Sequence, residues 1–381
     1  MIEGPFSPVE RPLRILQIIE TGGPGGAETV FAQLSTGLRE RGHRVHCIVG
    51  DGSWLPAEMQ RRGFTVEVLD RETRSPRPFL QRVYSLLRSG EFDLVHAHLF
   101  DGSMYSAFSA RLAGRPIVAT LHGQVDIEAR GIKSRLKRLV FRALITRSVA
   151  VSRSLKSTLQ PLLGLPDAKM SVIHNGLERA VQDTTPIVAA RSDARGGHFR
   201  LVAVGNIRQA KDYPTLLRAL RVLIDRGIPI QLDIAGQPDG GGLYAQLCAQ
   251  RHDLQLESNL TFHGFLSSPA ALVANADIFV LSSSQEGFSL ATIEAMLAGI
   301  AVVATRSGGP EEILQDGVTG LLVPTKDPIA LADAIERLVR NPETRHQLAN
   351  AARHDAEKRF GIQQMIMAYE RLYFQTLDRN A

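Results

Sequence analysis

The chain has 381 residues, of which 44% are apolar and 22% are charged, and this composition is ordinary for a globular protein. The length predicts two or three domains, each large enough to bury its own apolar core. The formal net charge of +5 favours polyanionic partners. On charge alone, the phosphates of a small molecule, an anionic membrane face and nucleic acid all stay open.

The cysteines and the apolar runs bear on the cellular compartment. Cys47 and Cys248 lie far apart, and this usage is typical of reduced, buried thiols in a cytosolic protein. Glu3 and Pro5 stand where a signal peptide would carry its apolar segment. No apolar run approaches the ~20 residues that are needed to cross a bilayer. We therefore expect a cytoplasmic protein, and contact with the inner face of the membrane is left open.

Short apolar runs alternate with helical patterns in the first half of the chain. Near-continuous apolar strands between helices are typical of parallel strands buried on both faces, as in a doubly wound sheet. A glycine-rich turn after the first strand leads into a helix predicted from about Ala27 to Arg41. The predicted strands are Leu13–Ile19, Val45–Val49, Phe64–Leu69, Asp93–Ala97, Pro116–Leu121 and Ser148–Val151.

The alternation stops after Asn175 and then restarts. Residues 182–198 are polar and aperiodic, which is typical of a linker. The second set of predicted strands is Leu201–Val204, Ile230–Ala235, Leu260–His263, Asp277–Leu281, Ala301–Ala304 and Gly320–Val323. The pattern thus predicts an α/β protein with two Rossmann-like, doubly wound parallel-sheet domains facing a cleft.

The predicted boundaries follow from these breaks. An acceptor-side domain covers residues 1–178, a linker covers 179–199, and a donor-binding domain covers 200–359. Residues 360–377 repeat apolar positions at spacings of three and four, which predicts a C-terminal helix. We expect that helix to join the first domain, although packing on either domain fits the pattern.

Two carboxylates give the strongest chemical signal. Glu286 falls in a polar loop after a predicted strand, and Glu294 lies about one turn inside a helix predicted over residues 290–298. Free backbone N–H groups at the start of that helix suit a phosphate, helped by the helix dipole. They belong to Ser289, Leu290 and Ala291. The alternative is an acidic helix start followed by a solvated glutamate.

The surrounding sequence resembles the family 4 glycosyltransferases, which are retaining enzymes of the GT-B fold. The resemblance extends over nearly the whole chain, except the linker and parts of the outer helices of the first domain. It implies that Glu286 contacts the donor sugar, that Glu294 contacts the nucleotide ribose, and that Gly287 and Phe288 help to bind the donor. The segments that carry it are Asp277–Gly299, Ala301–Gly309, Glu311, Glu312 and Gly317-Val-Thr-Gly-Leu-Leu-Val-Pro324.

Two cations follow the first strand of the second domain. Arg208 through its planar fork and Lys211 as a point charge can both reach one diphosphate. The family has a similar pair that neutralises the leaving nucleoside diphosphate, so the resemblance implies that no metal is required. The absence of any Asp-x-Asp agrees with this. Gly205 and Asn206 of the same loop are predicted donor contacts, and a solvated loop with ordinary cations is the alternative.

The first domain has its own glycine-rich turn, Gly22-Gly-Pro-Gly-Gly-Ala-Glu28. The G-x-G-x-x-G register of a dinucleotide-binding turn fails because Glu28 stands where the last glycine would fall. The backbone at Gly25 and Gly26 can still approach a ligand closely. The resemblance suggests contact with the donor diphosphate or the acceptor, and a merely tight turn is the alternative.

Three histidines lie at predicted strand ends. His122 matches the family's histidine near the anomeric centre, where it bonds a donor hydroxyl or a backbone carbonyl. A lone histidine at a strand end is otherwise more often structural. His96 and His98 fall on one face of a strand. A metal there would need a third ligand that the sequence does not reveal, so we interpret both as cleft-lining or core residues.

Two further turns complete the predicted site. Asn175-Gly176 suits a tight turn and resembles the hinge element of the family, so both residues are assigned to the acceptor side or the hinge. Gly264-Phe265 resembles the segment that cradles the nucleobase through backbone groups. Such contacts do not identify the base.

A basic amphipathic stretch runs from Lys133 to Arg147. It is compatible with docking on an anionic lipid surface, and equally with an ordinary packed helix whose charged face is solvated. Its apolar positions are Ile132, Leu136, Leu139, Val140, Ala143 and Leu144, and its cations are Lys133, Arg135, Lys137, Arg138 and Arg142.

These patterns together predict a metal-independent retaining glycosyltransferase. It would move a hexose or hexosamine from a UDP- or GDP-sugar to a glycan or glycolipid hydroxyl, in polysaccharide or lipopolysaccharide assembly. No cofactor beyond this co-substrate and no nucleic-acid partner is expected. The predicted catalytic residues are His122, Arg208, Lys211 and Glu286. The alternatives are a nucleotide-sugar epimerase of the same fold and a binding protein that has lost its chemistry.

Overall fold

A computed structural model describes residues 11–69, 77–123, 132–178, 198–238 and 240–378. The side chains of residues 132–134 also lie outside the description. Two compact units divide the chain. One contains the residues up to Glu178 together with those from Gly361 onwards, and the other lies between them, ending at Phe360. Most of the predicted linker, residues 179–197, lies outside the described residues.

The first unit is built on a seven-stranded sheet of order β3-β2-β1-β4-β5-β6-β7. Every neighbouring pair is parallel. The chain turns from one side of the sheet to the other between β1 and β4, which is the switch point of a doubly wound fold. The strands are β1 (Arg14–Ile19), β2 (Arg44–Val49), β3 (Val66–Val68), β4 (Leu94–His98), β5 (Ile117–Leu121), β6 (Arg147–Ala150) and β7 (Met170–Val172).

The helices of this unit alternate with its strands. Their bounds are α1 (Gly26–Glu40), α2 (Trp54–Arg61), α3 (Arg77–Arg88), α4 (Phe100–Leu112), α5 (Ile132–Leu144) and α6 (Arg153–Leu163). Every residue of β4 and β5 is buried, because helices cover both faces of a parallel sheet. The sequence did not predict β7. Only Met170 of its three residues is buried, so the edge strand gives no apolar run.

The second unit has a six-stranded parallel sheet of order β10-β9-β8-β11-β12-β13. Its strands are β8 (Phe199–Val204), β9 (Ile230–Ala235), β10 (Leu260–Gly264), β11 (Ile278–Leu281), β12 (Ala301–Thr305) and β13 (Leu321–Val323). Its helices are α7 (Tyr213–Asp225), α8 (Leu243–Asp253), α9 (Ala270–Ala274), α10 (Leu290–Leu297), α11 (Pro310–Ile313), α12 (Pro328–Arg340) and α13 (Pro342–Arg359). The prediction of two Rossmann-like parallel-sheet domains is confirmed.

The core of the second unit shows why these helices form. Leu216 and Leu220 are four residues apart on α7, and Leu331 and Ile335 repeat the spacing on α12. All four are fully buried, and the two helices pack against each other. Each such side chain contributes about 1.5–3 kcal/mol by leaving water. The packed pair covers one face of the sheet and leaves the strand ends to position polar groups.

The last helix, α14 (Ile362–Asp378), belongs to the first unit and packs against α1. A Cβ atom at Gly37 of α1 would lie 1.9 Å from Cδ1 of Ile366, so the glycine permits the close approach. Glu370 of α14 also contacts the segment between α1 and β2. It forms a 2.7 Å ion pair with Arg41 and lies 2.8 Å from Nε2 of the buried His43. The end of the chain is therefore fixed to the first sheet by packing and by charge.

Candidate functional site

The polar groups of the second unit gather where its strands end. All six strands are parallel, so their carboxyl ends share one edge of the sheet, which is where ligands bind in this fold class. The loops after β8, β11 and β12 contain the predicted cations, Glu286 and a glycine pair. Neighbouring strands β8, β11 and β12 bring these loops side by side although they lie far apart in sequence.

Glu286 is the centre of this cluster. Nζ of Lys211 donates a hydrogen bond to Oε1 of Glu286 at 2.5 Å, and the hydroxyl of Ser283 donates to the same oxygen at 2.7 Å. Both charged side chains are mostly shielded from water. A charge-assisted bond of this length is about twice as strong as a neutral one. Glu286 and Lys211 thus neutralise each other at the edge of the sheet.

The backbone around Glu286 is fixed by the loop after β12. The N–H of Glu286 donates to the carbonyl of Ser307 at 2.8 Å, and the N–H of Gly309 donates to the carbonyl of Glu286 at 3.0 Å. A Cβ atom at Gly309 would lie 2.8 Å from the carbonyl oxygen of Gly287. The two loops can lie this close only because Gly309 has no side chain, and the carboxylate is rigidly placed as a result.

Lys211 is positioned by the loop after β8. A Cβ atom at Gly205 would approach Cε of Lys211 to 2.8 Å, so the glycine leaves room for the lysine stem. The hydroxyl of Tyr213 donates to the carbonyl of Gly205 at 2.6 Å, and the hydroxyl of Ser282 donates to the carbonyl of Lys211 at 2.9 Å. Asn206 accepts a hydrogen bond from the next loop, at the N–H of Gln237. The loop holds its shape through these bonds.

Arg208 differs from Lys211 in its surroundings. A short 3₁₀ turn over Gln209–Lys211 separates the two cations. The side chain of Arg208 is exposed and has no hydrogen bond or ion pair with the described residues. It lines a small hollow with Asp212 and Tyr213. The guanidinium is therefore available to an anionic ligand.

The start of α10 provides the predicted phosphate donors. Ser289 caps the helix, and its hydroxyl accepts a hydrogen bond from the N–H of Thr292 at 3.3 Å. The ring of Phe288 is buried and lies edge-on to Phe360 at 5.6 Å. Phe288 and Leu290 thus bury their side chains in the core, and only their backbone groups can serve a ligand.

Glu294 lies one turn inside α10. Burial raises the pKa of its carboxyl to about 7. None of the described residues provides it with a hydrogen-bond partner. A half-buried carboxyl with a raised pKa can accept hydrogen bonds from a ligand, and residues of this kind are candidates for binding sites.

The turn after β10 has the features expected of a backbone cradle. Gly264 has a positive φ of 67°, which suits glycine, and its carbonyl accepts a hydrogen bond from the N–H of Gly236 at 2.8 Å. The side chain of Phe265 is exposed. This large apolar ring lies at the same edge of the sheet as the loops around Glu286.

In the first unit, the glycine-rich turn starts α1. Gly25 caps the helix with extended backbone, and its carbonyl accepts from the N–H of Thr29 at 3.0 Å. A Cβ atom at Gly25 would lie 2.5 Å from Oε2 of Glu28. The carboxylate of Glu28 also accepts a 2.6 Å hydrogen bond from the hydroxyl of Thr21. The carboxylate of Glu28 therefore fills the space beside Gly25, where a residue with a Cβ atom would collide with it.

His122 follows β5 and is half-buried. Its Nε2 lies 3.0 Å from Nδ1 of His98, which is fully buried at the end of β4. Burial lowers the pKa of His122 to about 4, so the ring is neutral near pH 7. His96 is also buried, and it hydrogen bonds to Thr120 and Tyr373. The interpretation of His96 and His98 as core or lining residues agrees with this burial.

Comparison with known proteins identifies the family. The model of "Glycosyltransferase Family 4" matches residues 24–181, and that of "Glycosyl transferases group 1" matches residues 188–355. The chain belongs to the family 4 glycosyltransferases. Its GT-B fold is shared with the Anabaena protein Alr3699/HepE, solved in complex with UDP-glucose, at a TM-score of 0.84 and 22% identity over 96% of this chain and all of the other.

Curated relatives of this glycosyltransferase act on different acceptors. The N-acetyl-alpha-D-glucosaminyl L-malate synthase of Bacillus anthracis is 25% identical over 93% of this chain and 96% of its own. The phosphatidyl-myo-inositol mannosyltransferase of Mycobacterium leprae is 28% identical over 88% of this chain and 89% of its own. Glycosyl transfer is the activity that these comparisons support, and they give no support to an epimerase.

One prediction from the sequence, the tight turn at Asn175-Gly176, is wrong. Asn175-Gly176 forms no tight turn, and Gly176 has no positive φ. A Cβ atom at Gly176 would instead lie 2.7 Å from the carbonyl oxygen of Gly361. The glycine is required because the chain returns to the first unit beside it, where the N–H of Ile362 donates to Leu177. Dipeptide statistics describe local turns and do not foresee such a contact.

Several polar neighbours were missed from sequence. Ser283, which bonds Glu286, is one of three serines after β11, and that run after a strand was an available signal. Gln17 lies in the middle of β1, where nothing marks it as functional. No group of three or more potential metal ligands occurs among the described residues. Within the described ranges, every helix is too short or too polar to cross a lipid bilayer.

Proposed function

We propose that this glycosyltransferase moves a hexose or hexosamine from a UDP- or GDP-sugar to a glycan or glycolipid hydroxyl, with retention of anomeric configuration. The observation that carries the proposal is the cluster of Lys211, Glu286 and Ser283 beside the start of α10. It combines a cation for a diphosphate, a carboxylate for sugar hydroxyls and free helix N–H groups for phosphate oxygens. The Anabaena neighbour bound to UDP-glucose supports a nucleotide-sugar donor.

The ion pair between Lys211 and Glu286 is exchanged for contacts with the donor. Lys211 and Glu286 pair with each other at 2.5 Å. When the donor binds, Lys211 turns to the diphosphate together with Arg208, and the carboxylate of Glu286 accepts hydrogen bonds from sugar hydroxyls. Each charge then exchanges one partner for another, so neither is left unpaired at the sheet edge. The two cations stabilise the charge that develops on the leaving diphosphate.

The transfer itself occurs on one face of the sugar. The bond between the anomeric carbon and the phosphate oxygen breaks, and the acceptor oxygen forms the new bond on the same face. The departing phosphate oxygen takes the acceptor proton, so no protein base is required. Arg208, Lys211 and the start of α10 supply the charge stabilisation that a metal ion provides in other transferases, and we propose that the enzyme needs no metal.

A thermal-shift screen tests the donor site. We expect the melting temperature to rise with UDP or GDP, alone and as sugars, and the rise to be unchanged by EDTA. ADP serves as the comparison nucleotide. A rise that EDTA abolishes would contradict metal independence, and no rise with any nucleotide would contradict the donor site. Acceptors are then compared by product mass, with L-malate and phosphatidyl-myo-inositol, which the names of two relatives give, set against glycan and glycolipid hydroxyls.

Donor affinity should depend on pH through Glu294. The ionised carboxyl accepts two hydrogen bonds from the ribose diol, and protonation removes that capacity. Because its pKa is about 7, we expect the Kd of the nucleoside diphosphate to rise about tenfold between pH 8 and pH 6. Isothermal titration calorimetry measures this. A 2′,3′-dideoxy nucleotide and the Glu294→Gln variant should both show a flat profile, and an unchanged slope in either would contradict the assignment.

The exposed face of α5 supports contact with an anionic membrane. Leu136 is 59% exposed and Leu139 is 60% exposed, and the exposed Arg135 and Arg142 lie on the same helix face. Two outward leucines between cations are the pattern of a helix that lies in the lipid interface. Contrary to the simple alternative of a helix with only its charged face solvated, part of the apolar stripe points outward.

Liposome flotation tests this contact. We expect binding to vesicles that contain phosphatidylglycerol and about tenfold weaker binding after Leu136→Ser with Leu139→Ser, because both side chains lose their burial in the interface. Val318→Ser removes an exposed apolar side chain from the second unit and is the matched control. Equal flotation of the double variant and the control would rule out docking through α5.

A further inference from the structure

Three polar side chains form a line across the sheet of the first unit. Gln17 lies on β1, His98 at the end of β4, and His122 directly after β5. These three strands are neighbours in the sheet. Gln17 and His98 have no exposed surface, whereas His122 is half-exposed. A buried polar pair therefore lies directly behind the histidine assigned to the donor.

The distances make this line a chain of hydrogen bonds. Nε2 of His122 lies 3.0 Å from Nδ1 of His98, and Nε2 of His98 lies 3.1 Å from Oε1 of Gln17. The two imidazole rings are within 18° of coplanar, and their centres are 5.3 Å apart. Rings at that separation with such a short nitrogen–nitrogen distance meet edge to edge, which is the geometry of a linear hydrogen bond.

The positions of the protons follow from the amide. With the Gln17 amide oriented so that its oxygen faces His98 at 3.1 Å, that oxygen can only accept, so Nε2 of His98 donates and carries the proton. Nδ1 of His98 then has a lone pair and must accept. Nε2 of His122 is therefore the donor of the second bond, and Nδ1 of His122 is left without a proton.

Both rings stay neutral at physiological pH. Burial lowers the pKa of His98 well below its ordinary value, and the neighbouring His96 and His122 lower it further. Burial lowers the pKa of His122 to about 4. With no second proton on either ring, the tautomer of His122 is decided by the chain behind it.

We propose that Gln17 and His98 are positioning residues that hold His122 as the neutral Nε2–H tautomer. This inference rests on the proposed function and on the family resemblance, which assigns His122 to a donor hydroxyl. The tautomer also determines which group of the donor His122 can contact. An unprotonated Nδ1 accepts a hydrogen bond from a sugar hydroxyl and cannot donate to a carbonyl or phosphate oxygen. His122 thus selects donor sugars that place a hydroxyl within hydrogen-bond distance of its Nδ1.

The tautomer can be measured directly. Nitrogen-15 correlation spectra of the full chain labelled at histidine distinguish protonated from bare ring nitrogens, and His122→Ala identifies the signal among the 11 histidines. We expect Nδ1 of His122 at the shift of a bare nitrogen and Nε2 at that of an N–H. The opposite tautomer in the wild-type protein would overturn the inference, whatever the activity.

Substitutions then connect the tautomer to transfer. His98→Phe keeps the ring contact with Phe31 and removes the acceptor, and Gln17→Leu removes the amide oxygen. We expect both to give mixed tautomers at His122 and to lower kcat about 10- to 100-fold, with the donor KM changed less than about threefold. His96→Phe is the control for core polarity, because the His96 ring packs on His98 with centres 4.3 Å apart, whereas its hydrogen bonds go to Thr120 and Tyr373 and not to His122 or Gln17.

The outcomes separate this inference from the proposed function. A wild-type tautomer and unchanged kcat in His98→Phe would overturn the positioning role, while a loss of transfer in His122→Ala would keep His122 at the donor. Unchanged transfer in His122→Ala would instead remove His122 from the reaction and overturn this inference, while the proposed glycosyl transfer would stand. An equal loss in the His96→Phe control would indicate a general effect of core polarity and also overturn the positioning role.

Discussion

Glu286→Gln is expected to lower kcat at least about 10²- to 10³-fold while nucleoside diphosphate binding stays the same or becomes tighter. The amide keeps the shape of the side chain and loses the charge that orders the sugar hydroxyls. It also frees Lys211, whose ammonium lies 2.5 Å from the carboxylate. Initial rates with saturating donor and calorimetric titration of UDP and GDP provide the two measurements.

Two controls limit the interpretation of that variant. Glu343→Gln changes an exposed carboxyl on α13 and should leave both quantities unchanged. The melting temperature of Glu286→Gln should stay within a few degrees of the parent, because the two loops remain joined by backbone bonds at Ser307 and Gly309. Nearly full activity in Glu286→Gln would remove Glu286 from the site.

The sequence predicted the strands well for a physical reason. Strands covered by helices on both faces must be apolar at nearly every position, as in β5 and β12, so their runs stand out. The edge strand β7 lacks that cover and left no run. Periodicity finds elements that are buried, and it fails where an element lies at an edge.

The position of the catalytic candidates was predictable, but their contacts were not. Lys211 and Glu286 both follow strands, so the parallel pattern assigns them to one edge of a sheet. Their pairing depends on β8 and β11 being neighbours in the sheet. The apolar runs of the sequence do not show the order of the strands. The same holds for Gln17 and His98, which β1 and β4 bring together across 81 positions.

The helix α5 shows a third limit. Its apolar stripe was visible, and so were its cations. The face that turns outward depends on how the helix packs against α4, where Lys137 forms a 2.9 Å ion pair with Asp101. The exposed leucines are therefore a finding of the structure, and they change the balance between an ordinary helix and a lipid-binding one.

Lys211→Met should lower kcat about 10²- to 10³-fold and also weaken nucleoside diphosphate binding, which distinguishes it from Glu286→Gln. The methionine fills the space of the lysine stem beside Gly205 without its charge. The leaving diphosphate then loses one of its two cations, and Glu286 loses its partner. Lys156→Met, which breaks an ion pair with Asp167 in the first unit, is the matched control.

The double variant decides whether the pair works as a unit. If Lys211 and Glu286 exchange partners when the donor binds, removing both charges should lower ln kcat by less than the sum of the two single losses. The reason is that each single substitution already leaves the other charge without its partner. Steady-state rates of the two single variants, the double variant and the parent give the coupling. Strict additivity would mean that the 2.5 Å ion pair is incidental to transfer, and that each charge serves the donor independently.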